Sequence, residues 1–145
     1  MKKIIYLSLS LIIFVCCFSS CELFIIKGEK IIIEDTTIIS DFSTSSPIGV
    51  VNLFINELKN DNILAATELL AKDDKTLYKA EEKYDISGNV SRIKRFIGNE
   101  EITNQEINST NDTFIINIEI AYIKKAFFEV KEINNKYYIT NYSIK

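Results

Sequence analysis

The segment 113–122, with the sequence TFIINIEIAY, constrains the fold more strongly than any other part of the chain. Large apolar residues recur at every second position, at Phe114, Ile116, Ile118, Ile120 and Tyr122. A period of two places alternate side chains on opposite faces of a β-strand. We therefore expect a strand with one buried face, which requires an apolar layer from elsewhere in the chain to cover it.

The flanking segments predict a sheet around this strand. The runs 126–133 (AFFEVKEI) and 136–144 (KYYITNYSI) are separated by Asn134-Asn135, and Asn tolerates the positive φ angles of a hairpin turn. A weaker, more polar strand is expected upstream at Ile102–Ser109. Successive strands with short turns predict an antiparallel meander of three or four strands.

The covering layer is predicted before Gly98, where the apolar period is helical. Ser46-Pro47 is typical of a helix start, because Ser caps a free amide and Pro fits the first helical position. Three shorter helices are expected after this first one. Their boundaries are predicted at Asn60-Asp61, Asp73-Asp74, Ser87-Gly88 and Gly98-Asn99. Helices followed by strands predict an α+β fold with N-terminal helices packed on a curved sheet.

A long helix across a curved sheet encloses a conical space. The apolar and aromatic residues expected to line this space, and so the candidate pocket residues, are Phe54, Leu58, Tyr78, Phe96, Phe114, Tyr122, Phe128 and Tyr138.

The order of elements resembles the nuclear transport factor 2-like (cystatin-like) superfamily, and in particular its small bacterial lipoproteins without an assigned activity. The resemblance covers about Ser46–Ile144 and rests on packing motifs. These begin with Ser46, Pro47, Val50, Val51, Phe54 and Leu58, continue with Asp61, Ala65 or Ala66, and Leu69, and end with Asn135, Lys136, Tyr137 and Ile139. It implies a cone-like domain over 47–145 but no specific chemistry, because folds host many functions.

The N-terminus predicts export. Met1-Lys2-Lys3 is basic, Ile4–Phe18 is uncharged and mostly apolar, and small residues follow, which is the pattern of a secretory signal. Ser19, Ser20 and Cys21 resemble the bacterial lipobox, with Phe18 in the place usually taken by Leu. The resemblance implies a signal peptide over 1–20, cleavage before Cys21, and lipidation of that cysteine. An uncleaved signal anchor is the alternative.

Lipidation at Cys21 would make the membrane a partner and place the protein in the cell envelope. Cys16 and Cys17 would leave with the signal, so the mature chain would have no free thiol. Glu22 is not the Asp that resembles an inner-membrane retention signal. An outer membrane is therefore favoured where the cell has one, and otherwise the outer face of the cytoplasmic membrane.

Residues 21–46 are predicted to form a lipidated tether. Two apolar runs, Leu23–Ile26 and Ile31–Ile33, surround Lys27-Gly28-Glu29-Lys30. This pattern is compatible with a hairpin, or with an extended arm lying on lipid headgroups or on the domain.

The composition disfavours catalysis and nucleic-acid binding. The chain has no histidine, which removes the usual base at neutral pH and the commonest metal ligand. Loss of Lys2 and Lys3 takes the formal net charge from −3 to −5, which is unfavourable for contact with phosphates. No metal or cofactor site is predicted. Asp85, expected in a loop beside Tyr84, is the best candidate for a catalytic base.

Two functions remain open. One is a non-catalytic module that binds a small apolar ligand or a protein partner. The other is a structural envelope protein whose cone is filled by its own side chains. A small-molecule isomerase or hydrolase-like enzyme of the same superfamily is the weaker third reading. A cavity of about 300 Å³ or more would favour a ligand, whereas a filled cone with an exposed apolar patch would favour a protein partner.

The lipobox interpretation predicts the behaviour of a Cys21→Ser variant. Removing the sulfur that would carry the lipid should leave an uncut precursor, and radiolabelled palmitate should enter only the wild-type protein. Incorporation of the label into the Cys21→Ser protein would contradict lipidation at this residue.

Overall fold

The computed structural model describes residues 40–145. The predicted signal peptide, Cys21 and residues 21–39 of the predicted tether lie outside the described residues. Within residues 40–145 three helices come first, α1 (Pro47–Lys59), α2 (Ile63–Thr67) and α3 (Ala80–Ile97). Four strands follow, β1 (Ile102–Thr110), β2 (Thr113–Ile120), β3 (Lys124–Ile133) and β4 (Lys136–Ile144). The predicted α+β class, with helices before strands, is confirmed.

Helix α1 begins where the sequence predicts. The Ser46 hydroxyl accepts a hydrogen bond from the Gly49 amide at 3.0 Å, and Pro47 occupies the first turn. The capping bond satisfies one of the amides that have no partner within the helix. The predicted stripe is buried, at Val50, Val51, Phe54, Ile55 and Leu58.

The strands form one antiparallel sheet in the order β1-β2-β3-β4. Alternation gives the sheet two chemically different faces. The inner face carries Ile116, Ile118, Ile120, Phe128 and Val130, all at most 1% exposed. Helix α1 lies against this face, and the Phe54 and Phe128 rings meet edge to face with centroids 6.0 Å apart. These residues belong to a single core cluster.

The two edges of the sheet differ. The outer edge of β4 is covered by the chain around it: Ile139 exchanges backbone hydrogen bonds with Leu69 and Ala71 at 2.9 Å, and the Tyr137 amide donates to the Thr44 carbonyl. Strand β1 lies at the other end of the sheet. Within residues 40–145 no further strand pairs with it.

The predicted helix break at Ser87-Gly88 is wrong. Helix α3 runs through both residues without interruption. Gly88 lies on the exposed side, whereas Val90, Ile93 and Ile97 are buried, so packing on one face holds the helix together despite the poor helical propensity of glycine. The Asp85 carboxylate, predicted in a loop, belongs to this helix and is exposed.

The predicted helix cap at Asp73-Asp74 is also wrong. The Asp74 carboxylate accepts hydrogen bonds from the amide and hydroxyl of Thr76, at 3.0 and 2.6 Å. This closes a turn, and Leu77 then forms a β-bridge with Ala71. Leu77 and Tyr78 therefore precede α3 and are not part of it.

Among the described helices, none is both long and apolar enough to cross a membrane.

The continuity of α3 predicts the outcome of a glycine substitution. A Cβ atom at Gly88 would meet no atom within 4 Å, so Gly88→Ala should stabilise the protein by about 0.5–1 kcal/mol through helix propensity. Gly98, at the end of α3, has a φ of +63° and a ψ of −148°, a region that is essentially restricted to glycine. The matched Gly98→Ala control should cost about 1–3 kcal/mol. Chemical denaturation measures both values, and a loss of stability in Gly88→Ala would contradict a continuous helix.

Candidate functional site

The structure brings six of the eight predicted pocket residues to the helix-covered side of the sheet. Phe54, Leu58 and Phe128 are fully buried in the core. Tyr78, Phe96 and Phe114 are partly buried and pack against the same core. The side chains at the centre of the predicted cone thus fill it by packing on one another.

The placements of Tyr122 and Tyr138 on the inner face are wrong. Strand β2 ends at Ile120, and Tyr122 lies in the following turn with a φ of +63° and 79% exposure. In β4 the register shifts so that Val130 pairs with Ile139, whereas Glu129 pairs with Asn141. This β-bulge changes which alternate residues face inward, and Tyr138 lies opposite Lys131 on the outer face.

The outer face of the sheet is the side opposite the helices, and it carries the aromatic residue Phe127. Phe127 is half-buried and lies directly across from Asn117 on β2. It borders two shallow depressions. One, of about 210 Å³, is lined on this face by Ile115, Phe127, Glu129, Asn141 and Ser143. The other, of about 150 Å³, is lined by Asn104, Glu106, Asn117, Glu119, Lys125 and Phe127.

Two polar side chains, those of Asn117 and Lys145, lie close to Phe127. The Asn117 side-chain oxygen is buried and has no hydrogen-bond donor among the described residues. A buried acceptor without a donor is costly. The Lys145 ammonium lies 5.3 Å from the centre of the Phe127 ring, within cation–π range. The outer face therefore carries an aromatic ring with a cation beside it, above a buried acceptor that has no donor among residues 40–145.

A separate groove of about 300 Å³ lies between α1 and the beginning of β1, and we call it the α1/β1 groove. Its lining residues are Ser40, Phe42, Asn52, Ile55, Asn56, Lys59, Glu101 and Ile102. Phe42 and Ile102 give it apolar surface, and Phe42 is 55% exposed.

One wall of the α1/β1 groove is fixed to the start of α1. The Asn52 amide donates to the Asp41 carbonyl at 3.1 Å, and the Ser46 hydroxyl donates to the Asp41 carboxylate. This bond, with a second one from Ser43, lowers the pKa of Asp41. A Cβ atom at Gly49 would lie 2.6 Å from the Asp41 carboxylate, so the close approach of this wall requires glycine.

The hydrogen bonds at this wall of the groove continue from Asn52 to β1. The Gln105 amide donates to the Asn52 side-chain oxygen at 2.6 Å, which joins the edge strand to α1. The Gln105 side-chain oxygen is buried without a donor among residues 40–145.

A third cavity, of about 410 Å³, opens between the turns at the end of the sheet. Its lining is largely polar, with Lys75, Asn111, Asp112, Glu132, Asn134 and Asn135 around Phe114 and Tyr137. The two rings meet edge to face at 5.6 Å, and Lys75 approaches Asp112 to 3.8 Å. Phe114 is the predicted pocket residue that borders this cleft.

The carboxylates with shifted pKa values have structural partners. A hydrogen bond from Lys72 at 2.6 Å lowers the pKa of Glu82 and raises that of Lys72. Glu82 also accepts from the Lys79 amide at 2.8 Å at the start of α3. Burial raises the pKa of the Tyr142 hydroxyl.

Within residues 40–145, no group of three or more His, Cys, Asp or Glu residues is placed to hold a metal ion.

Sequence reasoning missed Phe127 as a surface residue of interest. The signal was present in the pair Phe127-Phe128, because adjacent residues of a strand face opposite ways and one of two neighbouring aromatic rings must therefore point away from the core.

Comparison of the chain with protein-family models, with curated proteins and with solved structures gives no match.

Proposed function

We propose that this protein is a lipid-anchored component of the bacterial cell envelope that binds a protein partner through the outer face of its sheet and catalyses no reaction. The nuclear transport factor 2-like assignment belongs to the same proposal. Helices packed on one face of a four-stranded antiparallel meander support it.

The anchor is supported by the sequence at Ser19, Ser20 and Cys21. Each methylene of a bound acyl chain contributes about 0.8 kcal/mol to membrane affinity, and two or three chains on one residue hold stably. Membrane attachment then needs no surface of the folded part, and the outer face of the sheet is free for another role.

The observation that carries the proposed partner class is the surface around Phe127. An aromatic ring flanked by shallow depressions suits the contoured surface of a protein, because small-molecule sites are usually enclosed and about 300–1,000 Å³ in volume. Both depressions beside Phe127 fall below that range. The α1/β1 groove and the polar cleft between the turns reach it, but neither of them is lined by Phe127 or lies in the predicted cone.

The interior favours a protein partner over a small apolar ligand in the cone. Phe54, Leu58 and Phe128 occupy the space that such a ligand would need. A purely structural envelope protein shares this filled interior, and the outer face distinguishes the two functions, since a structural role requires no partner at Phe127.

The proposed absence of catalysis is supported by the hydrogen bonds and the ion pair that three carboxylates make. Asp41 and Asp74 accept hydrogen bonds that fix turns next to the helices, and Glu82 pairs with Lys72. These bonds stabilise the charged form of each carboxylate, which is the opposite of the raised pKa expected for a buried general base.

Photo-crosslinking in living cells tests the proposed surface. The photoreactive residue p-benzoylphenylalanine replaces Phe127 in one variant and Tyr84 in a control. Tyr84 lies on α3, on the helix side of the domain, and is 68% exposed. We expect one reproducible adduct with a different protein at position 127 and none at position 84.

Equal labelling at both positions, or no adduct at position 127, would contradict the proposed surface. An adduct with another copy of the same chain would also contradict it, because the face would then serve self-association.

A further inference from the structure

We propose that the turn between β2 and β3, Ala121-Tyr122-Ile123, lies on the surface of the phospholipid membrane that holds the lipid anchor. The inference rests on the proposed anchor at Cys21 and adds a second contact, which sets how the domain is oriented. This contact uses one end of the sheet and neither of its faces.

The tip of this turn is apolar and exposed. Tyr122 and Ile123 are 79% and 78% exposed, the highest values among the large apolar side chains that are exposed within residues 40–145. Transfer of such side chains from water to an apolar environment is favourable. Tyrosine is enriched at membrane–water interfaces, because its ring enters the apolar layer while its hydroxyl stays in contact with water.

The two hairpin turns at the opposite end of the sheet have a different composition. They contain Asn111-Asp112 between β1 and β2, and Asn134-Asn135 between β3 and β4. Asn and Asp are usual in tight turns, since they tolerate positive φ angles. The turn between β2 and β3 has Ala, Tyr and Ile instead, so one end of the sheet is polar and the other is apolar.

The backbone of the apolar turn is strained and held in place. Ala121 and Tyr122 have φ angles of 51° and 63°, which are unfavourable for a residue with a large side chain. The Ala121 amide donates to the Glu101 carbonyl at 3.0 Å, and the Tyr122 amide donates to the Thr103 hydroxyl at 3.2 Å. Strain of this kind persists where the surrounding structure imposes it, and it is concentrated at functional sites.

The described chain begins in the groove next to this turn. Glu101, which is bonded to the turn, lines the α1/β1 groove together with Ser40. An anchor upstream of Ser40 is therefore joined to the domain at this groove, and the tether raises the effective concentration of the membrane there. Phe42 lines the same groove and is 55% exposed, which adds apolar surface on this side.

The charges around the turn are mixed. The Lys124 ammonium donates to the Phe96 carbonyl and to the Glu100 carboxylate, both at 3.0 Å, so it is held at the end of α3. Lys125 is exposed and forms no ion pair among the described residues, but Glu119 lies across from it. Lysine suits the phosphates of lipid headgroups, and the apolar pair at the tip provides the insertion.

This orientation leaves the outer face accessible. With one end of the strands on the membrane, the sheet stands away from the lipid surface and neither face lies flat on it. The surface around Phe127 is then open to a partner from the side.

Tryptophan fluorescence of the lipidated protein in vesicles tests the contact. The chain has no tryptophan, so Tyr122→Trp reports on the turn alone. Tyr84→Trp is the matched control, because Tyr84 is 68% exposed and lies about 20 Å along α3 from the end of that helix at Ile97. The vesicles contain phosphatidylethanolamine and phosphatidylglycerol, with or without bromine on the acyl chains close to the headgroup.

We expect the tryptophan at position 122 to lie about 5–10 Å deep, at the boundary of headgroups and acyl chains. Its emission should shift to the blue and fall by about half in brominated vesicles, whereas emission from position 84 should not change. Adding Ile123→Asp to Tyr122→Trp should abolish the quenching, because a buried charge is costly, and the protein should still float with the vesicles.

Flotation of the vesicles separates this inference from the anchor. Protein that floats but shows no quenching at position 122, or equal quenching at both positions, would overturn the membrane contact and leave the anchor in place. A blue shift at position 122 without quenching would also overturn it, because the turn would then pack on another copy of the chain. Protein that does not float would contradict the anchor, and the membrane contact would fail with it.

Discussion

The edge-to-face contact between Phe54 and Phe128 is the interaction on which the rest of the structure depends. It joins the middle of α1 to the middle of the sheet, and both rings are fully buried. A fully buried aromatic side chain removes a large apolar area from water, and truncation of such a ring typically costs about 3–5 kcal/mol. Because this contact fixes which face of the sheet the helices cover, it also determines which face remains available to a partner.

The division of the sheet into two faces connects the fold to the proposed function. The helices use the inner face for stability, so the proposed partner is placed on the outer face. Phe127 and Phe128 are neighbours in sequence, yet one lies in the core and the other borders two surface depressions. A domain tethered by lipid at Cys21 can keep its outer face free, since its attachment would need no contact from the sheet.

Local sequence patterns predicted the elements whose signals are strong. The alternation in β2 and the Ser46-Pro47 start of α1 were read correctly because each depends on neighbouring residues alone. The break at Gly88 was predicted wrongly, since packing of Val90 and Ile93 outweighs the propensity of a single glycine. Tyr138 was misplaced because a β-bulge reverses the alternation within β4, and no local pattern indicates it. The surface depressions depend on residues from several strands, which sequence periodicity does not bring together.

The stability of Phe128→Ala compared with that of Phe127→Ala tests the division of faces most directly. The two variants remove the same ring from adjacent positions of β3 and differ only in the face concerned. We expect chemical denaturation to give a loss of about 3–5 kcal/mol for Phe128→Ala and less than about 1.5 kcal/mol for Phe127→Ala. Equal losses, or a larger loss for Phe127→Ala, would contradict the account.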